Sequence, residues 1–152
     1  MNQIHTLSAA LVLVGALFPV LYAASEPKTY QLQTSVIRLI AAPEEHYDKN
    51  IVVDGIFIGY SENNLFFDER HAEYLLRPMS INVLDDSEDE EGSLSVSTCN
   101  GEWVELWGTF IKAVDPDISY FKGRLVVDKA VLHKNGDTCW QRTKPSFLEQ
   151  RK

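Results

Sequence analysis

Residues Gly101 to Ala113, GEWVELWGTFIKA, alternate with a two-residue period more cleanly than any other stretch of the chain, and that period belongs to a β-strand. Successive side chains point to opposite sides, so Val104, Leu106, Gly108 and Phe110 share one face and Trp103, Glu105, Trp107, Thr109 and Ile111 share the other. The first face is ordinary core. The second puts two tryptophans and an isoleucine where a half-buried strand usually carries polar residues. That face must be covered or must bind something.

A second long strand is read over Ile51–Tyr60, IVVDGIFIGY, with Gly55 at the point where a barrel strand bends. Ile51, Val53, Gly55 and Phe57 fall on one side, and Val52, Asp54, Ile56, Ile58 and Tyr60 on the other. A turn at 61–64 leads to a short strand at Leu65–Phe67, then a brief helix capped by Asp68 and ended by Pro78. Ser80–Leu84 reads as a third short strand and Gly123–His133 as the last long one. Ahead of them all, Thr34-Ser35 caps a two-turn helix carrying Val36, Ile37, Leu39 and Ile40, which Pro43 stops.

With 152 residues, 45% hydrophobic and 24% charged, one globular domain is expected. Leu7 to Ala24 carries no charge and precedes the polar Ser25-Glu26-Pro27-Lys28, which predicts a secretory signal over 1–24; an uncleaved anchor is the competing reading, because Met1–Thr6 has no Lys or Arg. The division that follows is a polar lead-in at 25–33, a domain at 34–140 and a tail at 141–152. Export suits the cysteines. Cys99 and Cys139 are the only two, and an oxidising compartment favours a disulfide between them over free thiols. The formal net charge of −8, from 14 Lys and Arg against 22 Asp and Glu, argues against nucleic acid and for cationic partners.

Five strands in the order long, short, short, long, long, with glycines in the first and fourth, give the pattern of a mainly β, five-stranded Greek-key OB-fold-like barrel with one or two short helices. The helix followed by Pro43-Glu44-Glu45-His46-Tyr47, the Val53-Asp54-Gly55 strand, the Trp103–Phe110 strand and Tyr120-Phe121-Lys122-Gly123 resemble small exported bacterial OB-fold proteins of unassigned function. There is a looser similarity to periplasmic bacterial OB-fold stress proteins. The resemblance spans most of 34–133, implies that the first and fourth barrel strands are neighbours, and supplies no active-site residues; the acidic loop and the cysteine pair depart from it.

That adjacency sets Val52, Ile56 and Ile58 beside Trp103, Trp107 and Ile111 as one apolar patch, the candidate partner-binding surface. Internal cover by the N-terminal helix (Val36, Ile37, Ile40) or by the tail (Trp140, Phe147, Leu148) is the alternative. Asp85, Asp86, Glu88, Asp89, Glu90 and Glu91 read as a solvated acidic loop that could steer a basic partner. Neither a nucleophile motif, a phosphate-binding glycine loop nor metal-ligand spacing is found, and His46 and His133 read as surface residues. The expectation is therefore a periplasmic or secreted, non-enzymatic binding module for a protein or cationic ligand, for instance an immunity or inhibitor protein, without cofactor or metal. A small-molecule or envelope-stress ligand binder is the alternative.

Overall fold

The computed structural model describes residues 27–30, 32–87, 92–113 and 121–150. The expected signal segment, Glu88–Glu91 of the acidic loop and Tyr120 lie outside the described residues. The expected barrel is present. Its strands are β2 (Lys49–Gly59), β3 (Asn63–Phe66), β4 (Ser80–Leu84), β5 (Trp103–Lys112) and β6 (Gly123–Leu132), with β1 (Leu32–Ser35) and β7 (Thr138–Gln141) added outside it. Neighbours run β2-β3-β4-β6-β5, and antiparallel pairing of β5 with β2 closes the ring. β4 and β6 pair in parallel; β1 lies parallel to β2, and β7 antiparallel to β6.

Alternation decides what goes inside. Val104, Leu106 and Phe110 of β5 join Ile51, Val53 and Phe57 of β2 and Leu125 and Val127 of β6 in one cluster, all fully buried. Helix α1 (Val36–Ala41) starts at Ser35, whose hydroxyl accepts the Arg38 N–H at 3.3 Å, and it sends Val36 and Leu39 into that cluster. Helix α2 (Glu69–Glu73) is capped by Asp68, which accepts the His71 N–H at 2.8 Å. Both caps fall where the sequence placed them. The short C-terminal helix α3 (Phe147–Gln150) was not foreseen.

Gly55 of β2 and Gly108 of β5 are needed for space. A Cβ on Gly55 would strike the carbonyl oxygen of Phe66 and stand 2.8 Å from Leu65 Cγ. On Gly108 it would strike the carbonyl oxygen of Val126, beside a register shift between β5 and β6. Backbone carbonyls yield little, so Gly108→Ala is expected to cost about 1–3 kcal/mol. Urea unfolding checks this, and an unchanged midpoint would show that β5 and β6 can separate locally without loss.

Three local expectations are corrected. His46 is not a surface residue: it is 1% exposed, with Nδ1 3.0 Å from the Ala42 carbonyl oxygen and Nε2 3.2 Å from Thr34 Oγ1. One ring nitrogen donates to the carbonyl and the other bonds the hydroxyl, so both nitrogens have a partner inside the fold. Asp85 and Asp86 are not merely solvated. Asp85 Oδ2 accepts from the Leu94 N–H at 2.7 Å and from Ser93 Oγ at 3.0 Å, and Asp86 Oδ2 accepts from the Phe147 N–H at 2.9 Å. Finally, part of the polar lead-in becomes β1, held by β2 rather than by any pattern of its own.

Cys99 and Cys139 are bonded, with Cα atoms 5.4 Å apart, joining the approach to β5 to the outer strand β7. A disulfide is the covalent state that an oxidising, extracellular compartment favours. Among the described residues no helix is long and apolar enough to cross a membrane.

Candidate binding face on the barrel

The outward residues of β2 and β5 meet in four cross-strand rows, the first of them the polar pair Asn50 and Thr109. Val52 lies opposite Trp107, Asp54 opposite Glu105, and Ile56 opposite Trp103. Ile58 and Ile111 lie past opposite ends of this paired stretch, facing Asn64 of β3 and Arg124 of β6. The expected neighbours are therefore neighbours, but the apolar surface is not continuous. A row of two carboxylates divides it.

The Trp107 end is covered by the chain itself. The Tyr30 ring meets Trp107 edge-on at 5.1 Å, and the Lys129 ammonium stands 5.8 Å from the indole centre. Gln33 of β1 pairs alongside Val52, which is only 8% exposed. Tyr30 is fixed by a bulge. Trp107 pairs with Lys129 and Gly108 with Val127, so Asp128 is the extra residue, turned out of the ladder. Asp128 accepts from the Tyr30 hydroxyl at 2.8 Å and from Lys28 Nζ at 2.9 Å, while Lys28 also reaches Glu149 Oε1 at 2.9 Å. Arg142 completes the cluster, with Nε 3.4 Å from Asp128 and NH1 3.5 Å from Asp86.

Titration follows from these contacts. Burial, then the Asp128 hydrogen bond, pushes the Tyr30 hydroxyl far above its usual value. For Lys28 burial works in the opposite direction and is outweighed by Asp128 and Glu149, so the ammonium is held above its usual value. The Lys28 hydrogen bond, against some burial, holds the Glu149 carboxyl below its own.

The Ile56–Trp103 end is more open. Ala72 of α2 packs with Ile56 and Phe66, leaving Ile56 6% exposed, and Ile58 rests against the same cluster. Trp103 is 38% exposed, its ring centre 6.4 Å from that of His133 with the planes inclined at 62°. Between α2 and β5 runs a groove of about 410 Å³, with Ile56, Ile58, Ala72 and Trp103 as its apolar walls and Glu69, Glu73 and Glu102 as its polar ones. Glu102 is paired with Lys134 at 2.8 Å; Glu69 and Glu73 are exposed.

A second cavity, about 350 Å³, lies between the start of the acidic loop and β7, lined by Asp85, Asp86, Trp140 and Arg142 among others. Trp140 donates to the Gly92 carbonyl there at 2.8 Å. Among the described residues no group of three or more His, Cys, Asp or Glu side chains is arranged to hold a metal ion. The residues missed by sequence reasoning are Tyr30, Asp128 and Arg142. None has a periodic signal, since one lies in a patternless lead-in, one at a bulge and one after the last strand.

Comparison with protein-family models gives no match, and comparison with curated proteins gives none either. Among solved structures, a Leishmania major Friedlin protein assigned as an aspartyl-tRNA synthetase aligns with a TM-score of 0.42 and 16% identity, over 84% of this chain and 25% of that one. The present chain thus spans about a quarter of that chain's length, and a likeness this loose carries no argument about activity.

Proposed function

We propose that the protein is an exported, non-enzymatic binding module that takes a basic segment of a protein partner into the groove beside Trp103. The observation that carries this reading is the composition of the groove, which joins Ile56, Ile58 and a part-exposed indole to Glu69, Glu73 and Glu102. A lysine or arginine has the matching anatomy. Its aliphatic stem suits the isoleucines, its charge suits the carboxylates, and an indole face attracts the cation. The net charge of −8 favours encounter with such a partner over distance. Export, to the periplasm or beyond the cell, rests on the uncharged Leu7–Ala24 run and on the disulfide. Inhibition of, or immunity against, a basic exported protein is one concrete form.

The test is titration of nona-lysine into the full chain at physiological salt, followed by tryptophan fluorescence. Trp103→Ala, and separately Glu69→Gln with Glu73→Gln, should each weaken binding tenfold or more while the melting temperature stays within about 3 °C. Equal affinity in all three proteins would end the reading. A thermal-shift screen over metabolites, polyamines and divalent cations forms the second arm. A stabilising small ligand whose effect survives Trp103→Ala would replace the protein partner with a small molecule.

A further inference from the structure

We infer that the Asp54–Glu105 row is the anchor for an arginine side chain of the protein partner. This rests on the groove reading and says which residue of the partner the face selects. Asp54 and Glu105 lie directly opposite each other, and carboxylates so placed on a sheet face repel. Among the described residues no ion pair joins either carboxylate to a lysine or arginine. Lys28 is committed to Asp128 and Glu149, Lys134 to Glu102, and Lys129 stands over Trp107. The Gln33 amide reaches Asp54 Oδ2 at a long 3.4 Å, and the other oxygen, Oδ1, is buried without a hydrogen-bond donor. A buried acceptor left unpaired is costly in the free protein and is relieved by a ligand that supplies the donor.

The surroundings choose the donor. Glu105 Oε1 accepts from Trp107 Nε1 at 2.6 Å, which fixes its carboxylate beside one indole, and Trp103 lies one row away on the other side. A guanidinium is planar, donates in a rigid fork and stacks on indole, so it can meet carboxylates from two strands and a flanking indole together; an ammonium also has several donors but no planar face to lay on the indole. The Ile56–Trp103 row that begins the groove is two residues further along each strand, about 7 Å away. An extended partner therefore sets its arginine over Asp54 and Glu105 and the side chain two positions on in the groove. Gln33, exposed and weakly held, is the group that moves aside.

Two readouts test this. In the free protein, Asp54→Asn and Glu105→Gln should leave the melting temperature unchanged or raise it, because they remove repulsion. In binding, a nonapeptide alternating arginine and leucine should lose about tenfold in affinity to each variant, its lysine counterpart should bind less tightly to the wild type, and its citrulline counterpart should not bind. If the arginine peptide binds the wild type and both variants alike, the anchor is wrong while the groove reading stands. If it binds none of them, the groove reading fails and the anchor with it. A fall of several degrees in the free variants would make the row a structural element and overturn the inference by itself.

Discussion

Replacing Cys99 and Cys139 together with alanine is expected to lower the stability of the barrel by about 4 kcal/mol and its melting temperature by on the order of 15 °C. The bond closes a loop of 40 residues that contains both β5 and β6, so its main effect is to restrict the unfolded chain. It also holds β7, a four-residue strand paired on one side only, against the barrel wall. Cys99 is fully buried and packs with the main core, so alanine leaves a small void there, whereas serine would add an unpaired hydroxyl. Urea unfolding of the double variant, beside wild type treated with a reductant, measures the effect. Both should show most of the loss, the alanine variant slightly more because of the void at Cys99. A loss under 1 kcal/mol would show that β7 is held by its backbone pairing and by Trp140 alone.

Arg142→Ala is expected to cost about 3 kcal/mol, near the lower end for removing one member of a buried charge cluster, since Asp128 keeps Lys28 and Tyr30. The Arg142 side chain is 9% exposed. Its Nε donates to the Val127 carbonyl at 3.0 Å and a second guanidinium nitrogen donates to the same oxygen, while Asp128 and Asp86 stand beside it. It thus serves one backbone carbonyl of β6 and two carboxylates at once. Lysine has one nitrogen with which to replace these contacts, so Arg142→Lys should recover less than half of the loss. Denaturant midpoints of the two variants check this; full recovery by lysine would reduce the cluster to simple charge attraction.

Most of the barrel was legible because its evidence is local. The two-residue period of Trp103–Ile111 gives β5 its inner and outer faces, Ser35 and Asp68 announce their helices, and two cysteines leave one pairing to make. The candidate face was half legible. Asp54 and Glu105 could each be assigned to an outward face, but only the register of β2 against β5 makes them opposite. Asp128 reads as one polar residue in an alternating strand until the bulge turns it outward, and a bulge leaves no periodic trace. Tyr30 covers Trp107 from a segment without pattern, and His46 is buried by groups of Thr34 and Ala42 that a linear reading has no reason to bring together.

The cluster at Asp128 also bears on the order in which the chain assembles. Lys28 and Tyr30 find their carboxylate 100 and 98 residues downstream, so neither contact can form until the last barrel strand is made and paired. A chain synthesised from its N-terminus presents this segment first and completes its Asp128 contacts only after β6 is in place. The lead-in is therefore a closing clasp rather than a nucleus, and the growing chain carries the uncovered Trp107 face until the clasp shuts.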